Sequence, residues 1–203
     1  MTQKATSTVN GKVLVLFDFD GTITRKDTFI EFSKFTRSSA QFWWGMFLYS
    51  PILVAYKLKW IPNYKAKMQV FNHFFGKWEY ARFMKSGEDF CKNVLPSLLK
   101  QSALDKIEYH QKENHRILLV TASPKEWVLP WCNEVGIELI STEVEVIDKK
   151  ITGKLATINC YGPEKAIRIK SFLNIEEYST IYAYGDSAGD KEMLSLAQHP
   201  HYK

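Results

Sequence analysis

The first clear pattern in the chain is a short, unbroken apolar run, Val13-Leu14-Val15-Leu16-Phe17, which stops at Asp18. A run this short, Val/Leu-rich and followed by Gly21, reads as a buried β-strand over 12–17. The signature recurs at Arg116-Ile117-Leu118-Leu119-Val120, at Ile137-Glu138-Leu139-Ile140 and at Thr180-Ile181-Tyr182-Ala183-Tyr184. Residues 27–110 instead read as mostly helical, with breaks near Pro51, Pro62, Gly76 and Pro96. Pro124 suits the first turn of a helix running through Trp127 to Glu134, and Gly136 ends that helix. Residues 143–155 read as a hairpin turning at Asp148-Lys149-Lys150, Gly162-Pro163 opens a helix carrying Lys165, and a further helix is predicted at 188–197. Residues 1–11 read as a frayed polar arm.

Strand–helix alternation after residue 116 predicts an α/β fold, a parallel sheet with helices on both faces. The segment between the first two core strands is too long for a simple crossover. It predicts a separate helical cap at 28–109 on a core made of 1–27 and 110–203, with hinges near 25–28 and 98–114.

Composition narrows the function classes. At 203 residues, 45% apolar and 24% charged, the chain has enough apolar material for a core. The net charge of +5 suits an anionic substrate or surface, yet no dense Lys/Arg run marks a nucleic-acid arm, so nucleic acid is excluded as a partner. Cys91, Cys132 and Cys160 are scattered and form no zinc-type cluster. Met1 to Gly11 carries no apolar leader, and a reduced, cytoplasmic compartment is expected. Residues 38–56 contain no charge and are strongly apolar across 42–56, with Arg37, Lys57, Lys59, Lys65 and Lys67 on their flanks. The run is broken at Ser50-Pro51 and is too short to span a bilayer. Two readings stand: the aromatics pack the cap and line its pocket, or they make peripheral contact with the inner face of a membrane.

Acidic and hydroxyl groups follow three of the predicted strands: Asp18 and Asp20, then Thr121, then Asp186 and Asp190. In a parallel sheet the carboxyl ends of the strands lie on one edge, where such groups converge. Converging carboxylates repel each other, and a hard divalent cation such as Mg²⁺ relieves the repulsion. With Lys165 it would neutralise a phosphoryl group. Backbone N–H groups of the loop at 19–22, including those of Phe19 and Gly21, and the Thr121 hydroxyl would hold the phosphoryl oxygens. Asp18 would attack phosphorus, and Asp20 would serve as general acid and then base.

Four segments in order, Asp18-Phe19-Asp20-Gly21-Thr22, Leu118-Leu119-Val120-Thr121-Ala122-Ser123, Gly162-Pro163-Glu164-Lys165 and Gly185-Asp186-Ser187-Ala188-Gly189-Asp190, resemble the haloacid dehalogenase (HAD) superfamily. The likeness is to its phosphoserine-phosphatase-like branch, subfamily IB. It implies a Rossmann-like core with an inserted helical cap of the C1 type. It implies Asp18 as nucleophile, Asp20 as acid/base, and Thr121, Ala122 and Lys165 as phosphate ligands. It also implies Mg²⁺ held by Asp18, the Asp20 carbonyl, Asp186 and Asp190. Dehalogenases lack an acid/base aspartate at the position of Asp20, so its presence points to phosphoester chemistry.

In phosphoserine phosphatases a glutamate nine residues after the nucleophile binds the substrate amine; here Asp27 stands there, and Ser123 is a second candidate substrate contact. Thr121-Ala122-Ser123-Pro124, the hairpin and Asn159-Cys160-Tyr161-Gly162 are more similar to a subgroup that includes a phosphatidylglycerophosphate phosphatase. The expected substrate is a small phosphorylated metabolite or a phospholipid head group. Phosphotransfer through the same intermediate and a catalytically idle lipid-binding module are the alternatives.

Overall fold

The structure is a computed structural model and describes residues 11–58, 60–61 and 63–202. The arm expected at 1–11, except Gly11, lies outside the described residues, as do Lys59 and the break at Pro62. Strand β1 (Lys12–Phe17) leads into seven helices: α1 (Thr28–Thr36), α2 (Ser39–Leu48), α3 (Ser50–Lys57), α4 (Asn63–Phe75), α5 (Tyr80–Asn93), α6 (Leu95–Leu98) and α7 (Gln101–Lys112). Then come β2 (Arg116–Pro124), α8 (Leu129–Val135), β3 (Glu138–Thr142), the hairpin β4 (Val144–Ile147) and β5 (Lys150–Leu155), and α9 (Pro163–Phe172). The chain continues through β6 (Tyr178–Gly185), α10 (Lys191–Leu194) and β7 (His199–Tyr202).

Five strands form one parallel sheet in the order β3-β2-β1-β6-β7. Side chains alternate across β1. Val15 and Phe17 join Ile117 and Leu119 in a core with α7, α8 and the helical insertion. Leu14 and Leu16 join Leu118, Val120, Ile181 and Ala183 against α9 and α10. Covering both faces explains why β1 and β2 read as continuous apolar runs. From β1 the chain runs to β2 and β3 on one side and only later crosses to β6 and β7 on the other, so the carboxyl end of β1 is the switch point where such sheets bind ligands.

The insertion packs on the sheet through an aromatic core. Phe32 of α1 stacks on Trp127 at 4.5 Å between ring centroids, and Phe83 and Phe90 meet Phe32 edge-on. Helix α5 touches the core chain through Gly87, where a β-carbon would lie 2.1 Å from the Glu126 carbonyl oxygen. The two crossings between insertion and sheet run side by side: Arg25 donates to the Leu98 carbonyl (2.8 Å), and Lys100 to the Ile23 carbonyl (2.9 Å). The hairpin turns through Asp148 and Lys149, both with positive φ, and braces the insertion. There the Lys77 N–H donates to Ile151 and the Ile151 N–H to Trp78 (2.7 and 2.9 Å).

Two expectations are corrected, and one strand is added to them. Pro124 does not open a helix: it ends β2 opposite Thr142, a 3₁₀ turn follows at Lys125–Trp127, and Pro130 occupies the first turn of α8. That turn drops Trp127 into the aromatic core. The helix expected at 188–197 is a 3₁₀ turn, Ala188–Asp190, followed by the four-residue α10, because the Asp190 carboxylate folds back onto Ser187. Strand β7 has no counterpart in the reading above. It is a polar edge strand, and Pro200 is tolerated at such an edge. His199 and His201 stack on Tyr182 and Tyr184, each pair at 4.6 Å.

The apolar segment 42–56 divides between the two readings. Phe42 and Gly45 are buried, with Phe42 stacked on Phe74, whereas Trp43, Trp44 and Phe47 are about two-thirds exposed (66%, 65% and 69%). Among the described residues no helix is long and apolar enough to cross a membrane.

Behind β6, buried His110 contacts His115 (Nδ1 to Nδ1, 2.8 Å) and the Tyr184 hydroxyl (Nε2 to oxygen, 2.9 Å). Burial, aided by His115, Lys106 and His201, pushes its pKa from 6.5 to about 4. The folded state therefore holds neutral imidazole where the unfolded chain binds a proton. The group leaves stability unchanged above pH 6.5 and lowers it progressively as pH falls from there toward 4, where protons bind the unfolded chain first. Urea unfolding at stepped pH is expected to show this slope, and His110→Gln, which retains hydrogen bonding without titrating in that range, is expected to flatten it. An identical slope in the variant would exclude His110 as its source.

Candidate active site

The loop after β1 turns at Gly21, whose φ of +85° suits glycine, and a β-carbon there would fall 2.0 Å from Asp186 Oδ2. Glycine thus lets the loop close onto the loop after β6, where the Thr22 hydroxyl donates to Asp186 Oδ1 (3.2 Å). The Lys100 ammonium donates to the Gly21 carbonyl from the other side. Asp18 starts this loop, its N–H bonded to the Tyr184 carbonyl at 2.9 Å. After β6, Gly185 allows a tight curl: a β-carbon would lie 2.5 Å from that of Asp190.

Lys165 sits in the first turn of α9, which places its side chain beneath these loops, 1% exposed. Its Nζ donates to Asp18 Oδ1 at 2.5 Å and Asp190 Oδ1 at 2.6 Å. Asp190 Oδ2 accepts from the N–H of Asp186 (3.2 Å), and from the N–H (2.9 Å) and hydroxyl (2.8 Å) of Ser187. Desolvation opposes the charge on Lys165, but Asp18 and Asp190 together outweigh it and raise its pKa. Burial pushes Asp18 up to about 7 against the pull of Lys165. Burial likewise raises Asp186, with the Thr22 hydrogen bond opposing.

Carboxylate oxygens of Asp18, Asp186 and Asp190 all lie within 4.8 Å of one another. Among the described residues Lys165 is the ammonium paired directly with two of these three carboxylates, with Lys100 acting on Asp186 from farther off, which leaves an excess of negative charge in a desolvated place. An all-oxygen set of this kind fits a hard divalent cation such as Mg²⁺.

The Asp20 carboxylate is not part of that group. It turns to α1 and β2: Oδ1 accepts from the N–H (2.7 Å) and hydroxyl (2.6 Å) of Thr28, and Oδ2 from the Ser123 hydroxyl (2.6 Å). Trp127 Nε1 in turn donates to the Thr28 hydroxyl at 3.1 Å. Burial and the neighbouring Asp27 raise the Asp20 pKa, while Lys67 and these hydrogen bonds restrain it.

A polar cavity of about 230 Å³ opens over these groups. Asp18, Asp20, Lys165 and Asp190 line it, with Thr121 and Ala122 from β2. Asp27 caps α1, its Oδ1 accepting from the Ile30 N–H at 3.2 Å, and also reaches the cavity. The remaining lining differs from expectation. Ser123 is fully buried, donates its hydroxyl to Asp20 and does not line the cavity. Phe19 packs on Trp131 (5.7 Å), and the Gly21 N–H points to Thr24 Oγ1 (3.4 Å); neither residue lines the cavity. Thr121 does line it, though its hydroxyl also accepts from the Ser123 N–H at 3.0 Å. Lys67, Asn159, Tyr161 and Ser187 join the wall without having been singled out for it. Ser187, Asn159 and Tyr161 lay within segments quoted for the resemblance, though without a site role; Lys67 arrives from α4, which no local motif links to the sheet edge.

A family description for haloacid dehalogenase-like hydrolases matches residues 15–195. Protein CicA of Caulobacter vibrioides is 33% identical over 193 residues, 94% of this chain and 86% of that protein. A probable phosphatase of Mycobacterium tuberculosis is 30% identical over 125 residues, 60% of this chain and 43% of that protein. Among solved structures, a Bordetella pertussis protein of unknown function superposes with a TM-score of 0.77 at 20% identity, covering 93% of this chain and 88% of that one. A phospho-aspartyl intermediate analogue of phosphoserine phosphatase superposes with a TM-score of 0.68 at 17% identity, covering 93% and 84%. The chain belongs to the haloacid dehalogenase-like hydrolase family.

Proposed function

We propose that this enzyme is a Mg²⁺-dependent phosphatase that cleaves phosphomonoesters through an aspartyl-phosphate on Asp18. The observation that carries the reading is buried Lys165 bridging Asp18 and Asp190 in the floor of a polar cavity that Asp20 also lines. Asp18, Asp186 and Asp190 would hold the metal, with the Asp20 carbonyl as the further ligand that the family resemblance implies. When bound, Mg²⁺ supplies electrostatic stabilisation of the phosphoryl oxygens.

Lys165 fixes Asp18 through Oδ1 and adds positive charge where the phosphoryl group sits. An oxygen of Asp18 attacks phosphorus as the bond to the leaving oxygen breaks, and Asp20 gives that oxygen its proton. The raised pKa of Asp20 favours the protonated form that this step needs. Asp20 then takes a proton from the incoming water, whose oxygen attacks phosphorus and releases Asp18. Thr28 and Ser123 keep the Asp20 carboxyl aimed throughout. Thr121 and Ala122 provide the phosphate-facing wall. The insertion, 28–109, acts as the cap that closes the site.

A peripheral membrane contact is proposed for the cap. Trp43, Trp44 and Phe47 are exposed on α2, and no acidic residue stands between Glu31 and Glu79. An apolar face with basic surroundings suits an anionic interface.

Three results test these readings. Asp18→Asn is expected to lower hydrolysis of p-nitrophenyl phosphate, with Mg²⁺ present, by roughly a thousandfold or more while the circular dichroism spectrum is retained; near-normal turnover would remove Asp18 as nucleophile. Lys165→Met leaves two buried carboxylates face to face, and is expected to cost about 3–5 kcal/mol of unfolding free energy in urea as well as activity; full stability would mean that the ion pairs are not structural. In flotation with anionic liposomes, the protein is expected to rise with the vesicles and a Trp43→Ala, Trp44→Ala double variant to stay behind. Failure of the unaltered protein to float would discard the membrane contact.

A further inference from the structure

We infer that the substrate is an amphiphilic phosphomonoester: its phosphate enters the acidic cavity, and its apolar portion lies in a groove between α4, β5 and α9. The inference rests on the reading of that cavity as a phosphatase site.

The groove encloses about 790 Å³, against about 230 Å³ for the cavity. Tyr64 and Met68 come from α4, Leu155 from β5, Ile158 from the following loop, and Pro163 and Ile167 from α9. Ile158 and Ile167 are exposed by 72% and 56%. Apolar side chains left in water around a concavity mark a place for an apolar ligand. The one acidic side chain on its wall, Glu164, is already paired with Arg168 at 2.9 Å. Arg168 also donates to the carbonyls of Ser141 (2.7 Å) and Ile158 (2.5 Å), which fixes the rim before any ligand arrives.

Continuity with the cavity identifies the occupant. Asn159 and Tyr161 line both spaces. A small pocket of about 20 Å³ lies between them, sharing Tyr64, Met68 and Leu155 with the groove and Lys67 and Ala122 with the cavity. Lys67 stands at the transition, its Nζ 5.4 Å from the centre of the Phe29 ring. A small polar ester would fill the cavity and leave the groove empty. A molecule with an anionic head and an apolar tail meets complementary chemistry along the whole path.

The test is a series of n-alkyl phosphates from butyl to decyl, each below its micellar concentration, hydrolysed by the Mg²⁺-loaded enzyme. Binding to the Asp18→Asn protein is followed in parallel by calorimetry. Complete burial of a methylene is worth about fourfold in affinity, and a half-open groove about twofold. The expected gain in kcat/KM and in affinity from butyl to decyl is therefore roughly 60-fold. Ile167→Glu, at an exposed position, is expected to flatten the dependence on chain length. A flat series with p-nitrophenyl phosphate still hydrolysed overturns the groove assignment and leaves the phosphatase reading standing. A steep series that Ile167→Glu does not alter places the tail elsewhere and also overturns it. No hydrolysis of any phosphoester, p-nitrophenyl phosphate included, refutes the phosphatase reading and this inference with it.

Discussion

The interaction on which the site depends is the double ion pair of Lys165 with Asp18 and Asp190. Removing an ammonium and two carboxylates from water costs several kcal/mol per ion, and only close pairing with further hydrogen bonds offsets it. Three segments distant in sequence must therefore arrive within hydrogen-bond reach of one nitrogen. The backbone yields to that demand: Gly21 and Gly185 stand where a β-carbon would strike Asp186 or Asp190. Asp190 is also tied to the N–H groups of its own turn, so the charge cluster and the loop shape are a single solution.

A second network links chemistry to the insertion. Asp20 is held by Thr28, the first residue of α1, and by Ser123 at the end of β2, while Trp127 holds Thr28 and stacks on Phe32. The acid/base candidate is thus positioned by the joint between the helices and the sheet. A change in how the helices seat would be felt first at Asp20, because its partners come from both sides.

The sheet was legible because buried parallel strands are short apolar runs, and β1, β2 and β6 carry that pattern plainly. The gathering of Asp18, Thr121, Asp186 and Asp190 was legible because strand ends on one edge converge, and Lys165 reaches that edge from the first turn of α9. What escaped was whatever depends on packing across long sequence separations. Trp127 draws its segment out of a helix and into the aromatic core, so Pro124 could not be read locally. Strand β7 is held by tyrosine–histidine stacking rather than apolar alternation. Lys67 reaches the cavity from α4, an element whose placement follows from the tertiary fold alone. Ser123 read as a candidate substrate contact because its partner, Asp20, is 103 positions away.

The hairpin has a consequence for how the molecule can diverge. Helix α4 and strand β5 form two neighbouring banks of the groove, and the chain just beyond α4 is tied to β5 by main-chain hydrogen bonds at Ile151. Asn72 presses on Gly153 at the same junction. The span between the banks is therefore set by amide geometry, which substitution hardly touches. Exchanging Met68 or Leu155 would alter depth and wetting at constant width, so new preferences can be drawn on this frame without redrawing it.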